Sequence, residues 1–81
     1  MATEHIERIR AAKRVTRESS LLRAIEAANI GQTNKEILRM RYIDGRMFEY
    51  IAAELGYSAS QIYRRHKASM AIVAAILRET E

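Results

Sequence analysis

The stretch that decides the fold is Ile51-Ala52-Ala53-Glu54-Leu55-Gly56-Tyr57-Ser58-Ala59-Ser60-Gln61-Ile62. Phe48, Ile51, Ala52 and Leu55 recur at i, i+3, i+4 and i+7, one face of a helix over residues 47–55, with Glu49 and Glu54 outside it. Gly56 supplies the positive φ that a chain needs when it leaves a helix sharply. Two residues on, Ser58 and Gln61 match a capping box, in which each side chain satisfies a backbone donor of the next helix's first turn. Nothing then breaks the helical pattern before Arg78. The spacing predicts helix, short turn, helix over residues 47–67, with small Ala52 at the crossing and Ile51, Leu55 and Ile62 packed beneath the turn. An αα-hairpin inside an unrelated small bundle would use the same residues.

Working outward, Thr33 and Glu36 form a second capping-box pattern, which predicts a helix from Thr33 to Ile43 that turns Ile37, Leu38 and Tyr42 toward a core. Asp44-Gly45 is a turn dipeptide. Upstream, residues 3–30 read as helix, with Ile6 and Ile9 in one stripe and Leu22, Ile25 and Ala28 in another. Gly31 is the expected left-handed cap that closes it. With no proline and only three glycines, the fold class is all-α. The expected architecture is a small helical bundle containing a helix-turn-helix whose second helix runs on toward the C-terminus. Its organisation is an N-terminal helical segment over residues 1–32, for packing or dimerisation, and a helix-turn-helix domain over residues 33–81. At 81 residues there is one small core to build.

Composition removes several function classes. There is no cysteine and the two histidines, His5 and His66, are far apart, so no metal site is expected. Ser19 and Ser20 have no histidine at a spacing that would activate them, and no glycine loop cradles a phosphate. The reading is therefore of a protein that is not an enzyme and has no cofactor. The longest apolar run, Ala68 to Leu77, is too short to span a bilayer. Met1-Ala2-Thr3-Glu4-His5 lacks the basic-then-apolar order of a secretory signal, and the expected location is the bacterial cytoplasm, at the nucleoid.

The net charge is +4, with a pI near 9.9, which by itself says little about partners. Placement says more. At 100° per residue, Ile62, His66, Ser69, Val73 and Leu77 share the core side of the last helix. Ser60, Arg64 and Lys67 lie opposite, with Ala59 and Tyr63 at the margins. Small groups at the tip permit close approach to a groove, Arg64 matches the two acceptors of guanine, and Lys67 suits a phosphate. From Leu55 to Arg78 there is no acid. These features predict double-stranded DNA as the partner, with Arg46, Arg65 and Lys67 on phosphates and Ser60, Arg64, Ala59 and Gln61 at base edges. Ser58 and Tyr63 complete the expected DNA-facing set.

Three segments carry a resemblance: Glu36-Ile-Leu-Arg-Met-Arg-Tyr-Ile-Asp-Gly45, Ile51-Ala-Ala-Glu-Leu-Gly-Tyr-Ser58, and Ile62-Tyr-Arg-Arg-His-Lys-Ala68. Together they resemble region four of bacterial sigma factors, and more closely the phage transcriptional regulators of the ArpU/RinA type. The resemblance covers residues 34–70. It implies a recognition helix beginning at Ser58, with Ala59, Ser60, Arg64 and Lys67 facing DNA, and a phage or prophage regulator that meets RNA polymerase if it activates. Arg65 departs from the family, which usually places an apolar residue there. An arginine at the edge of the core packs its stem while its head reaches a phosphate or a carboxylate.

Other residues read more plainly. His66 is expected as a core-edge histidine ahead of a base-reading or pH-sensing one. Tyr42, Phe48, Tyr50 and Tyr57 are expected at the core or its rim, and Asp44, Glu49 and Glu54 as solvated acids. The stretch Arg8 to Arg17 carries five cations and no acid, as a DNA-grasping arm or a solvated helix face would. The apolar tail, Ala68 to Leu77, either packs on Leu22 and Ile25 or joins a second copy, and a homo-oligomer, a dimer first, is expected. Two rival functions share these features: a small-terminase-like subunit that recognises a packaging site, and a module that holds sigma factor or polymerase without touching DNA.

Overall fold

The computed structural model describes residues 17–80, and its regular elements there are all helical. Helix α1 covers residues 17–27, α2 Gln32–Tyr42, α3 Phe48–Leu55 and α4 Ala59–Thr80. The chain is thus a small all-α bundle. The expected start of the first helix, the stripe of Ile6 and Ile9, and the basic stretch from Arg8 to Thr16 lie outside the described residues.

The turn between α3 and α4 follows the expected chemistry. Gly56 sits at φ 77°, ψ 32°, and its N–H donates to the Ala52 carbonyl at 2.9 Å, with Tyr57 N–H donating to the same oxygen at 3.0 Å. One orphan carbonyl at the end of α3 thus accepts two backbone donors from the turn. The next helix begins with a complete capping box: Gln61 N–H donates to Ser58 Oγ at 3.1 Å, and Ser58 N–H donates to Gln61 Oε1 at 2.9 Å.

The core divides into two clusters. Ile37 and Met40 of α2, Ile51 and Ala52 of α3, and Ile62 of α4 form one beneath the turn, flanked by Phe48, Leu55 and Tyr57. Leu38 of α2 and Val73 of α4 meet Ala24, Ile25 and Ala28 in the other, with Leu21, Ile30, Met70, Ile76 and Leu77 around them. The tail of α4 therefore has an intramolecular partner, α1, along part of its apolar surface. Polar contacts also join α1 and α2. Arg39 pairs with Glu26 and, at 2.9 Å, with Glu36, while Lys35 Nζ donates to the Glu26 carbonyl at 2.7 Å. The hydrogen bond to Glu36, then the bond to Glu26, raise the Arg39 pKa against the opposing effect of burial.

Several expectations are corrected. Thr33 does not cap α2. Helix α2 opens one residue earlier, after Gly31, with no side-chain cap, and Glu36 is turned to Arg39 instead of back to the first turn. Gly31 is not a left-handed end to the preceding helix, which stops at residue 27; at φ 85°, ψ 156° it has positive φ outside the left-handed helical region and is the N-cap residue of α2. Leu22 is not in the buried stripe: Leu21, Ala24, Ile25 and Ala28 face the core and Leu22 is exposed. Tyr42 is exposed too, and Met40 takes the buried place in the last turn of α2. Met47 precedes α3 as its N-cap residue.

The Gly56 backbone requires a conformation that side-chain-bearing residues disfavour, yet a Cβ there would meet nothing within 4 Å. Gly56→Ala is expected to cost about 1–2 kcal/mol through backbone strain alone. Ile62→Ala empties a fully buried site and is expected to cost about 2–5 kcal/mol. Urea denaturation checks both as shifts of the midpoint.

Candidate nucleic-acid interface

The first two turns of α4 present two different faces. Ile62 is fully buried, and Ser69 and Val73 continue that buried side. Ala59, Ser60, Gln61, Tyr63, Arg64 and Lys67 are exposed. This is the division expected from 100° steps, because the helix is regular from Ala59 onward. The exposed set carries two cations and small groups at its tip, and no acid lies on α4 before Glu79.

The start of α3 forms the other wall. Phe48 and Glu49, with Ala59, Ser60, Tyr63 and Arg64, line an open hollow between the two helices. Tyr63 is fixed on its inner side by the edge of Phe48, with centroids 5.7 Å apart and rings at 87°. On its outer side Lys67 Nζ sits 5.7 Å from the ring centroid. Such contacts hold an exposed aromatic in place at low entropic cost.

The remaining expected site residues have other engagements. Ser58 Oγ and Gln61 Oε1 are committed to the capping box. Arg46 is exposed at the entry to α3, its guanidinium 4.7 Å from the centre of the Tyr50 ring. Its carbonyl accepts from Arg41 Nη1 at 3.0 Å. Arg65 is half-buried, stacks 4.7 Å over Tyr57 and donates to Asn34 Oδ1 at 3.2 Å. That arginine ties α4 to the start of α2, and among the described residues its head meets an amide oxygen and a ring instead of a carboxylate.

Behind the exposed face lies a cluster that sequence spacing did not reveal. Tyr42, at the end of α2, stacks on His66 with centroids 5.5 Å apart, and Tyr42 Oη is in a 2.5 Å hydrogen bond with His66 Nε2. Phe48 meets the same imidazole edge-on at 5.0 Å, and the Arg41 guanidinium lies 4.8 Å over Phe48. His66 Nδ1 is buried with no hydrogen-bond partner. Burial first, and the Arg41 charge second, push the His66 pKa below its ordinary value. The core-edge place expected for His66 is thus observed, but as the hub of an aromatic cluster joining α2, α3 and α4. Tyr42 and His66 are 24 positions apart, beyond any helical periodicity.

Among the described residues, no group of three or more His, Asp or Glu side chains comes together as a metal site would require. No described helix is long and apolar enough to cross a membrane. Comparison with protein families, with curated proteins and with solved structures finds no match.

The lowered His66 pKa has a direction in pH. Above about pH 6.5 the imidazole is neutral in both folded and unfolded chains, and the contribution to stability is whole. As the pH falls below that value the unfolded chain takes a proton that the folded cluster resists, and stability is lost. Urea midpoints measured from neutral pH down to about pH 5 are expected to fall in the wild type, and His66→Gln is expected to flatten that decline.

Proposed function

We propose that the chain is a sequence-specific double-stranded DNA-binding protein, a phage or prophage transcription regulator that inserts the start of α4 into the major groove. The observation that carries this reading is the pairing of a Gly56 turn and Ser58–Gln61 cap with an exposed face of Ser60, Arg64 and Lys67 on the helix that follows. A helix-turn-helix reads DNA with the N-terminal residues of its second helix. Arg64 is the expected base reader, Lys67 the expected phosphate contact, and Tyr63 a margin contact held by Phe48. Ser58, Ala59 and Gln61 border the same surface, and Arg46, exposed at the entry to α3, is a further proposed phosphate contact. Arg65 contributes chiefly by holding α4 against α2.

The resemblance to sigma region four adds RNA polymerase as a partner of an activating form, and the bacterial cytoplasm is the location that fits such a regulator. The exposed Leu22 on α1 and the exposed Ile72 on α4 support a homodimer. A terminase-like packaging role would instead assemble a large ring, so the mass of the assembly in solution separates the two.

The experiment is fluorescence anisotropy on random-sequence duplex DNA across a salt series. Affinity is expected to fall steeply with salt as phosphate-bound counterions are released. Lys67→Ala is expected to weaken all sequences alike and reduce the salt slope by about one. On a selected site, Arg64→Ala is expected to cost about 1–3 kcal/mol and to relax preference at one base pair. A folded protein that binds no DNA at low salt overturns the reading in favour of a protein-binding module.

A further inference from the structure

Glu49 is a residue that the cationic face does not explain. It is exposed, it stands in the first turn of α3, and it lines the same hollow as Arg64, Ala59 and Ser60. Its ordinary role there is to complement the positive end of the helix dipole, since Met47 offers α3 no side-chain cap. That role needs only proximity to the helix end. It does not account for a carboxylate and a guanidinium sharing the rim of one hollow without an ion pair between them.

We propose that Glu49 is a specificity-determining residue, and that Glu49 and Arg64 together select one G·C base pair in a single orientation. The proposal rests on the DNA-binding reading above and names which pair of groups does the selecting. In the major groove a G·C pair presents the N7 and O6 acceptors of guanine beside the N4 amino donor of cytosine. Arginine carries only donors and an ionised glutamate only acceptors, so the two side chains match the two halves of that edge. An A·T pair in the same place leaves the arginine only adenine N7, with an amino donor where guanine has O6, and sets a thymine O4 acceptor against the carboxylate, so one arginine bond is lost and the carboxylate is repelled. The inverted C·G pair fails for the same reason. Ala59 and Ser60 leave the floor of the hollow low enough for a base edge to approach, and Tyr63, braced by Phe48, closes one side. The carboxylate also disfavours a phosphate in the hollow, which leaves Arg64 to the bases.

The test is selection from a random-sequence duplex library by wild type, Glu49→Gln, Arg64→Ala and the outward-facing control Glu54→Gln, with the enriched sites sequenced. Glu49→Gln keeps size and hydrogen-bonding capacity but adds a donor, so it accepts A·T where the carboxylate rejects it. Expected is a site with a G·C pair whose preference falls about tenfold in both Glu49→Gln and Arg64→Ala, at the same position, while Glu54→Gln selects the wild-type site. Loss of thermal stability in Glu49→Gln with an unchanged selected site would overturn the proposal and leave only the helix-dipole role. So would a preference lost at a different position from that of Arg64→Ala. A wild-type selection that enriches no sequence would overturn the DNA-binding reading itself, and this proposal with it.

Discussion

Two neighbours on α2, Ile37 and Leu38, are both fully buried, and each belongs to a different cluster. The rest of the molecule depends on that division. Consecutive helical residues point about 100° apart, so a single helix can serve two partners only if it lies between them. Helix α2 does so, with α3 and the start of α4 on one side and α1 and the tail of α4 on the other. Helix α4 makes the complementary arrangement along its length, giving Ile62 to one cluster and Val73 to the other. An 81-residue chain has little apolar surface to bury, and this shared use of two helices spares it the need for a larger core.

The candidate surface depends on the same division. Burying Ile62 beneath the turn fixes the rotation of α4, and rotation alone decides that Arg64 and Lys67 emerge on the open side. Arg65 is the clearest illustration. One residue beyond Arg64, it is turned a further 100° and lands against Tyr57 and Asn34, where it joins helices. Two adjacent arginines thus have different physical tasks because of their angle around one axis.

Much of this was legible in the residues. The turn was, because glycine at a positive φ and a serine–glutamine cap are local devices that need no distant partner. The same reading failed at Thr33 and Glu36, although the pattern is as good. There a nearby cation, Arg39, attracts Glu36, and the helix opens at Gln32, one residue sooner. A capping pattern competes with every other charge in reach, and the competitors are visible only when the chain is folded. The buried and exposed faces of α4 followed from periodicity, whereas the Tyr42–His66–Phe48 cluster did not, since it joins three helices through contacts that no spacing encodes. Glu49 was hidden for a similar reason. On α3 alone it is a solvated acid, and only the approach of α4 gives it Arg64 as a neighbour across the hollow.

The continuity of α4 has a mechanical meaning. Its 22 residues form one rod of about 33 Å, uninterrupted from the Ser58 cap to the end of the apolar tail. The half that carries Arg64 and the half that packs on α1 cannot turn independently, as they would across a hinge. Inserting one residue between Lys67 and Val73 would twist one half against the other by about 100° and aim the cations elsewhere while the composition stayed nearly the same. A tilt imposed at the tail is thus carried toward the tip by one continuous helix.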